Sequence, residues 1–297
     1  MRIVIALGGN ALLNPARKNS YPGYLQTVRT SCQGLANLAK KHELIITHGN
    51  GPQVGDIMLQ QEKAKTLRLP LDVDVAETQG QIGYLLQQGL HNAWPKANVV
   101  CLLNQVLVDK NDSAFRHPSK PVGPFYTPRQ AHELKGRYHL KKIGQQYRRV
   151  VPSPQPKEII ELGIISSLAK SHIVIACGGG GIPVVREKGI VKGVEAVIDK
   201  DLTACLLAKS LHADLLLILT DTEGVYLNYG TAKQKLLRQL KVREAQRLLQ
   251  AGQFPDGSMG PKVRAAMDFA ATGRQAVIAH LTDLAKAVNG KAGTSIK

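Results

Sequence analysis

Three apolar runs in this chain stop on glycine. Ile3-Val4-Ile5-Ala6-Leu7 leads into Gly8-Gly9-Asn10. Leu44-Ile45-Ile46-Thr47 leads into His48-Gly49-Asn50-Gly51-Pro52. Ile173-Val174-Ile175-Ala176 leads into Cys177 and the four glycines 178–181. Short apolar runs of this kind read as strands buried on both faces. Stretches with helical spacing follow, at Tyr24 to Lys41, Val54 to Ala64 and Leu202 to Leu211. Strand, glycine turn and helix in repetition predict a three-layer α/β/α sandwich with a mostly parallel central sheet. Ligands of such sheets lie beyond the carboxyl ends of the strands, where these glycines stand.

The stretch from Cys177 to Asp201 is the densest of the three. Consecutive glycines cost conformational entropy, so a fold that keeps them uses their φ freedom or their close approach. Gly189 and Gly193 within Val184 to Val197 predict a hairpin. Asp199-Lys200-Asp201 then opens a helix. A lysine between two carboxylates, beside bare backbone, suits a phosphate site. It equally suits an ordinary helix capped by Asp199 or Asp201. A strand at Asp214 to Leu219 ends in Thr220-Asp221-Thr222-Glu223-Gly224-Val225-Tyr226, and Gly257-Ser258-Met259-Gly260-Pro261-Lys262 leads into a helix at Val263 to Ala271. A lysine at a helix start opposes the dipole and calls for an anion, which a phosphate supplies. Asn10 and Asn50 serve either as turn residues or as amide donors to an anion. His48 is a hydrogen-bonded structural histidine or an acid–base group.

Val73 to Leu90 reads as a helix carrying Gly80 and Gly83, Asn98 to Val108 as a third strand, and Ile159 to Ser171 as a helix. Val242 to Ala251 is an amphipathic helix, and strands at Ala276 to Ala279 and Gly293 to Ile296 close the chain. Between residues 109 and 156 apolar periodicity drops while proline and charge rise. This predicts an inserted lid subdomain within one domain of residues 1–297. A basic surface excursion is the alternative.

Composition narrows the function classes. The chain is 43% apolar and 21% charged, as soluble globular proteins are. No run reaches the ~18 apolar residues of a membrane span. The apolar run at the start is too short for a signal peptide. Cys32, Cys101, Cys177 and Cys205 form no CxxC pair, which predicts reduced thiols in a cytoplasmic protein. The net charge of +17 raises nucleic acid as a partner. Aromatics are only 4%, however, and the one dense basic cluster runs from Lys135 to Arg149. A solvated basic face with anionic small-molecule substrates accounts for the charge without nucleic acid. Neither GxGxxG nor GxxxxGK[ST] occurs.

Eight blocks together carry a resemblance: ALGGN at 6–10, HGNGPQVG at 48–55, TQGQIGY at 78–84, KPVGPF at 120–125, RRVVPSP at 148–154, CGGGGIPV at 177–184, AVIDKD at 196–201 and GSMGPK at 257–262. In order and spacing the chain resembles the carbamate kinases of the amino-acid kinase superfamily, nearly end to end. Other members of that superfamily usually carry lysine where Ala6 stands. Carbamate kinases lack it and use the lysine of DKD, here Lys200. The chain departs from the pattern at Gly260, where relatives often have leucine, at the TDTEGVY segment, and between Lys135 and Gln146.

The resemblance implies the amino-acid kinase fold and a homodimer. It implies reversible phosphoryl transfer between carbamate and ADP/ATP with Mg²⁺ carried on the nucleotide phosphates and no direct protein ligand. In cells such enzymes usually run from carbamoyl phosphate toward ATP, in arginine- or purine-derived nitrogen catabolism. On that basis Lys200 and Lys262 hold the transferred phosphoryl group, Lys120 the carbamoyl phosphate, and Asp201 positions the lysines. Gly8, Gly9, Asn10, Gly49, Asn50 and Gly51 bind carbamate and phosphate. Gly178, Gly179, Asp199, Thr220, Asp221, Tyr226, Met259 and Lys262 serve the nucleotide, with Asp199 either capping its helix or assisting the metal. Rival expectations are a related kinase for another small carboxylate, an inactive paralogue, and a non-catalytic polyanion binder.

Overall fold

The computed structural model describes residues 1–8, 20–64, 67–255 and 257–297. Eight strands form the central sheet: β1 (Arg2–Leu7), β2 (Glu43–His48), β3 (Val99–Cys101), β4 (Ile173–Ile175), β5 (Leu215–Thr220), β6 (Gln239–Leu240), β7 (Gln275–His280) and β8 (Thr294–Ile296). Their order is β6-β8-β7-β5-β1-β2-β4-β3. Every pairing is parallel except β7 with β8. β1 is flanked by β2 on one side and β5 on the other, so the strand order reverses at β1.

Alternation along β1 explains the layers. Val4 and Ala6 point to one face and Ile3, Ile5 and Leu7 to the other, all fully buried. The first face packs against α4 (Lys200–Ser210) and α5 (Met259–Ala270) through Leu207, Val263 and Phe269. The second packs against α1 (Tyr21–Ala39) and α3 (Leu71–Ala93) through Val28, Leu35, Ile82 and Leu86. The result is an α/β/α sandwich. Emptying such a site, as Phe269→Ala would, costs about 3–5 kcal/mol.

Two expectations are corrected. The run from Asn98 to Val108 is two strands. β3 stays in the central sheet, while Gln105–Val108 joins a separate four-stranded sheet. The switch occurs at buried Asn104, whose N–H donates to Gln79 Oε1 (2.9 Å) and whose carbonyl accepts from Ile182 N (2.8 Å). These bonds draw the chain away from the first ladder. Likewise Ile159 closes a strand, Pro156–Ile159, and the helix is only Leu162–Leu168. The predicted hairpin is present, with Val184 opposite Gly193.

Within residues 109–156, strands Lys120–Tyr126, Leu140–Ile143 and Gln146–Val151 make a three-stranded antiparallel sheet. Val122 and Val151 pack against Val54 and Met58 of α2 (Gly51–Lys63) and Leu71 and Val75 of α3. This small core seats the segment over the carboxyl end of the central sheet.

Candidate active site

A cleft of about 610 Å³ opens where four adjacent strands end. Gly8 follows β1, Gly49, Asn50 and Gly51 follow β2, Gly179 follows β4, and Thr220 and Asp221 close and follow β5; all line the cleft. Three helices start there. α4 is capped by Asp199, whose Oδ1 accepts from Asp201 N at 2.9 Å. α2 and α5 have no side-chain cap and no acidic residue in their first turns. Two uncompensated positive dipole ends therefore face one space, which suits an anion.

Two lysines meet on one carboxylate. Lys262, on the first turn of α5, places Nζ 3.0 Å from Asp201 Oδ2. Lys200 pairs with Asp201 Oδ1. Burial pushes the Asp201 carboxyl up, but the charges of Lys200 and Lys262 outweigh it and hold its pKa down to about 2. Burial draws the Lys200 ammonium below the usual lysine value, against the pull of Asp201. Burial acts the same way on Lys262, but Asp201, with Asp199 and Asp221 adding, leaves it raised. From the three-stranded sheet Lys120 reaches Asp199, Nζ to Oδ2 2.7 Å. Asp199 is thus both helix cap and anchor for Lys120.

The far end of the cleft is aromatic. Tyr226 and Tyr229 stand with ring centroids 5.7 Å apart, and Phe254, Pro255 and Met259 also line the cleft.

A model described as the amino acid kinase family matches residues 1–280. A carbamate kinase of Pyrococcus horikoshii is 47% identical, covering 99% of this chain and 98% of the relative. One from Haemophilus influenzae is also 47% identical, over 100% and 96%. A solved carbamate kinase from Giardia lamblia bound to AMP-PNP superposes with a TM-score of 0.92 at 42% identity, covering 99% of this chain and 98% of that one. This chain belongs to the carbamate kinases of the amino acid kinase family.

Most residues singled out from the carbamate kinase pattern line one cleft: Gly8, Gly49, Asn50, Gly51, Lys120, Gly179, Asp199, Lys200, Asp201, Thr220, Asp221, Tyr226, Met259 and Lys262. Gly9 and Asn10 lie outside the described residues. Gly178 stands behind the wall, where a Cβ would overlap the His48 ring. Nor is Gly179 at the aromatic end. β1 and β2 separate β4 from β5, so Gly179 stands beside Asn50 rather than Thr220. The glycine run therefore lies at the end of the cleft that holds Asn50, with two strands between it and Thr220.

His48 is fully buried, with Nδ1 3.3 Å from the Gly49 carbonyl. Burial, aided by Lys200, lowers its pKa to about 4, so the imidazole is neutral at pH 7. Residues missed from sequence surround the glycine run: Thr47, Gln79, Asn104 and Thr203, each almost wholly buried. Gln79, within the TQGQIGY block, was the one with a visible signal. Tyr229, which no sequence motif marks, also lines the cleft.

Proposed function

We propose that the protein transfers a phosphoryl group between carbamoyl phosphate and ADP, forming ATP and carbamate, and the reverse. The observation that supports this best is the buried Asp201 carrying Lys200 and Lys262 at the centre of the cleft. ADP would lie with its base toward Tyr226 and Tyr229 and its phosphates toward Lys262 and the start of α5. Carbamoyl phosphate would lie toward Asn50, Gly51 and Lys120. A β-phosphate oxygen of ADP attacks phosphorus in line, the P–O bond to the carbamoyl group breaks, and carbamate leaves with the electron pair. The reaction needs placement and charge neutralisation rather than proton abstraction. Carbamate is already an anion, so neutral His48 need not act as a base. Lys200 and Lys262 neutralise the moving phosphoryl group. Asp201 keeps two buried cations at a spacing they would not hold alone.

Mg²⁺ belongs to this reading. Lysines already engage Asp199 and Asp201. A metal carried on the nucleotide's phosphates would neutralise charge there, with Asp221 the nearby carboxylate. The 109–156 segment would act as the lid, bringing Lys120 in. A homodimer is proposed on exposed Tyr84 and Leu103, 58% and 57% accessible near the β3 edge. Four unpaired cysteines suit a reducing cytoplasm.

The test is ATP formation from ADP and carbamoyl phosphate with Mg²⁺, using Lys200→Ala as the blank. We expect activity in the parent and a loss on the order of 100- to 1,000-fold in the variant. A folded parent that binds ADP but makes no ATP would point to another carboxylate acceptor or to an inactive paralogue.

A further inference from the structure

The loop from Cys177 to Gly181 has a backbone that must be imposed on it. Cys177 has φ 54°, and Gly179, Gly180 and Gly181 have φ 66°, 92° and 90°. A non-glycine residue holds a left-handed conformation only where its surroundings dictate it. Four buried side chains do so here. Thr47 Oγ1 donates to the Cys177 carbonyl at 2.7 Å, and Asn104 Oδ1 accepts from Cys177 N at 2.9 Å. Gln79 Nε2 donates to the Gly178 carbonyl at 2.9 Å. Thr203 Oγ1 donates to the Gly180 carbonyl at 2.8 Å.

The loop so held touches two parts of the site. On one side it seats Asn50, because a Cβ at Gly179 would overlap the Asn50 amide. On the other, Gly180 abuts the Ile198 carbonyl and Asp199, where α4 begins. α4 carries Lys200 and Asp201, and Thr203 lies one turn farther along it. The hydrogen bond from Thr203 to Gly180 therefore ties the lysine-bearing helix to the loop under Asn50.

We propose that Thr203 is a positioning residue for phosphoryl transfer. It fixes Lys200 relative to Asn50 through Gly180, while Gln79 holds the same loop from α3. The proposal rests on the phosphoryl-transfer reading above. Thr203 touches no substrate and acts only through placement. Small misplacements of a catalytic group are costly, reaching about 100-fold for roughly an ångström.

The experiment uses the full chain with Thr203→Val, which keeps the shape and removes the donor, Thr203→Ser, which restores it, and Gln79→Met as an independent cut. Kinetics with carbamoyl phosphate and ADP are combined with competitive acylation of Lys200 read by mass spectrometry. Thr203→Val should lower kcat by about 10- to 100-fold with KM for ADP within about twofold of the parent. Thr203→Ser should recover most of the rate. Gln79→Met should show the same split. The acylation rate of Lys200 should change in Thr203→Val and return in Thr203→Ser. A kcat near that of the parent in Thr203→Val would overturn the proposal, as would a loss shared equally with KM for ADP. Should Thr203→Val not fold, a normal kcat in Gln79→Met overturns it. A parent that makes no ATP sinks the functional reading instead. Lys200 labelling then decides alone, and an unchanged rate in Thr203→Val counts against the proposal.

Discussion

Lys262 Nζ lies 3.0 Å from Oδ2 of Asp201, 61 residues away in sequence and on a different helix. With Lys200 on the other oxygen, one carboxylate fixes the separation of two buried ammonium groups. Removing its charge leaves them facing each other with only the weaker pull of Asp199 and Asp221 to compensate. Breaking a buried pair from one side costs about 3–5 kcal/mol. Asp201→Asn should therefore lower the urea midpoint clearly at pH 7 and abolish measurable turnover. A variant as stable as the parent would show that the lysines do not depend on this carboxylate.

The same group sets an acid limit. Its folded pKa of about 2 lies below the unfolded carboxylate value of about 3.9. The native state thus binds this proton less readily than the unfolded chain. The associated stability is present above pH ~4 and fades as pH falls toward ~2. Urea midpoints of the parent should drop through that window, and those of Asp201→Asn should drop less.

Lys120 is held by Asp199 at 2.7 Å, at the end of the cleft with Asn50. A substrate phosphate bound there would draw on the same ammonium. Lys120→Ala should raise KM for carbamoyl phosphate by about tenfold or more while KM for ADP stays near parental. Equal changes in both constants would remove Lys120 from the carbamoyl phosphate site.

Tyr229 is 62% exposed yet lines the cleft beside Tyr226. An exposed ring beside another, at the end of a phosphate site, offers a face to a nucleotide base. Aromatic pairing contributes about 0.5–1.5 kcal/mol beyond burial, or roughly 2- to 10-fold in affinity. Tyr229→Ala should raise KM for ADP by that factor and leave KM for carbamoyl phosphate unchanged. Steady-state titration of each substrate separates the outcomes.

What sequence disclosed followed from local pattern. The runs ending at Leu7, Thr47 and Ala176 announced buried strands with glycine turns, and they stand adjacent in the sheet. Lys200 and Lys262 carried a helix-start signal that needs no tertiary knowledge. The break at Asn104 was invisible, because it depends on Gln79 reaching across from α3. Nor could the glycine run be placed. Its distance from Tyr226 follows from strand order, which apolar periodicity does not encode. Thr47 and Thr203 look like ordinary strand and helix residues until the carbonyls they bind are known.

Asp74 offers a test away from the cleft. It lies on α3, 3% exposed, and accepts from Gln61 Nε2 at 2.6 Å. Burial raises its carboxyl to about 6, with Glu77 and Glu195 adding, while Gln61 and Arg149 pull the other way. The folded pKa exceeds the unfolded value of about 3.9, so the native state binds this proton more tightly. The stability it lends is full below pH ~4 and is lost as pH rises through ~6. At pH 7.5 the ionised carboxylate is a net cost, which an amide would avoid while still accepting from Gln61. Asp74→Asn should raise Tm at pH 7.5 by roughly 2 °C or more. It should also flatten the fall in Tm between pH 4 and 6, the window set by those two pKa values. Scanning calorimetry across that range decides it. A lower Tm at pH 7.5, with the slope unchanged, would mean that Asp74 keeps its charge in the fold by interactions stronger than its burial.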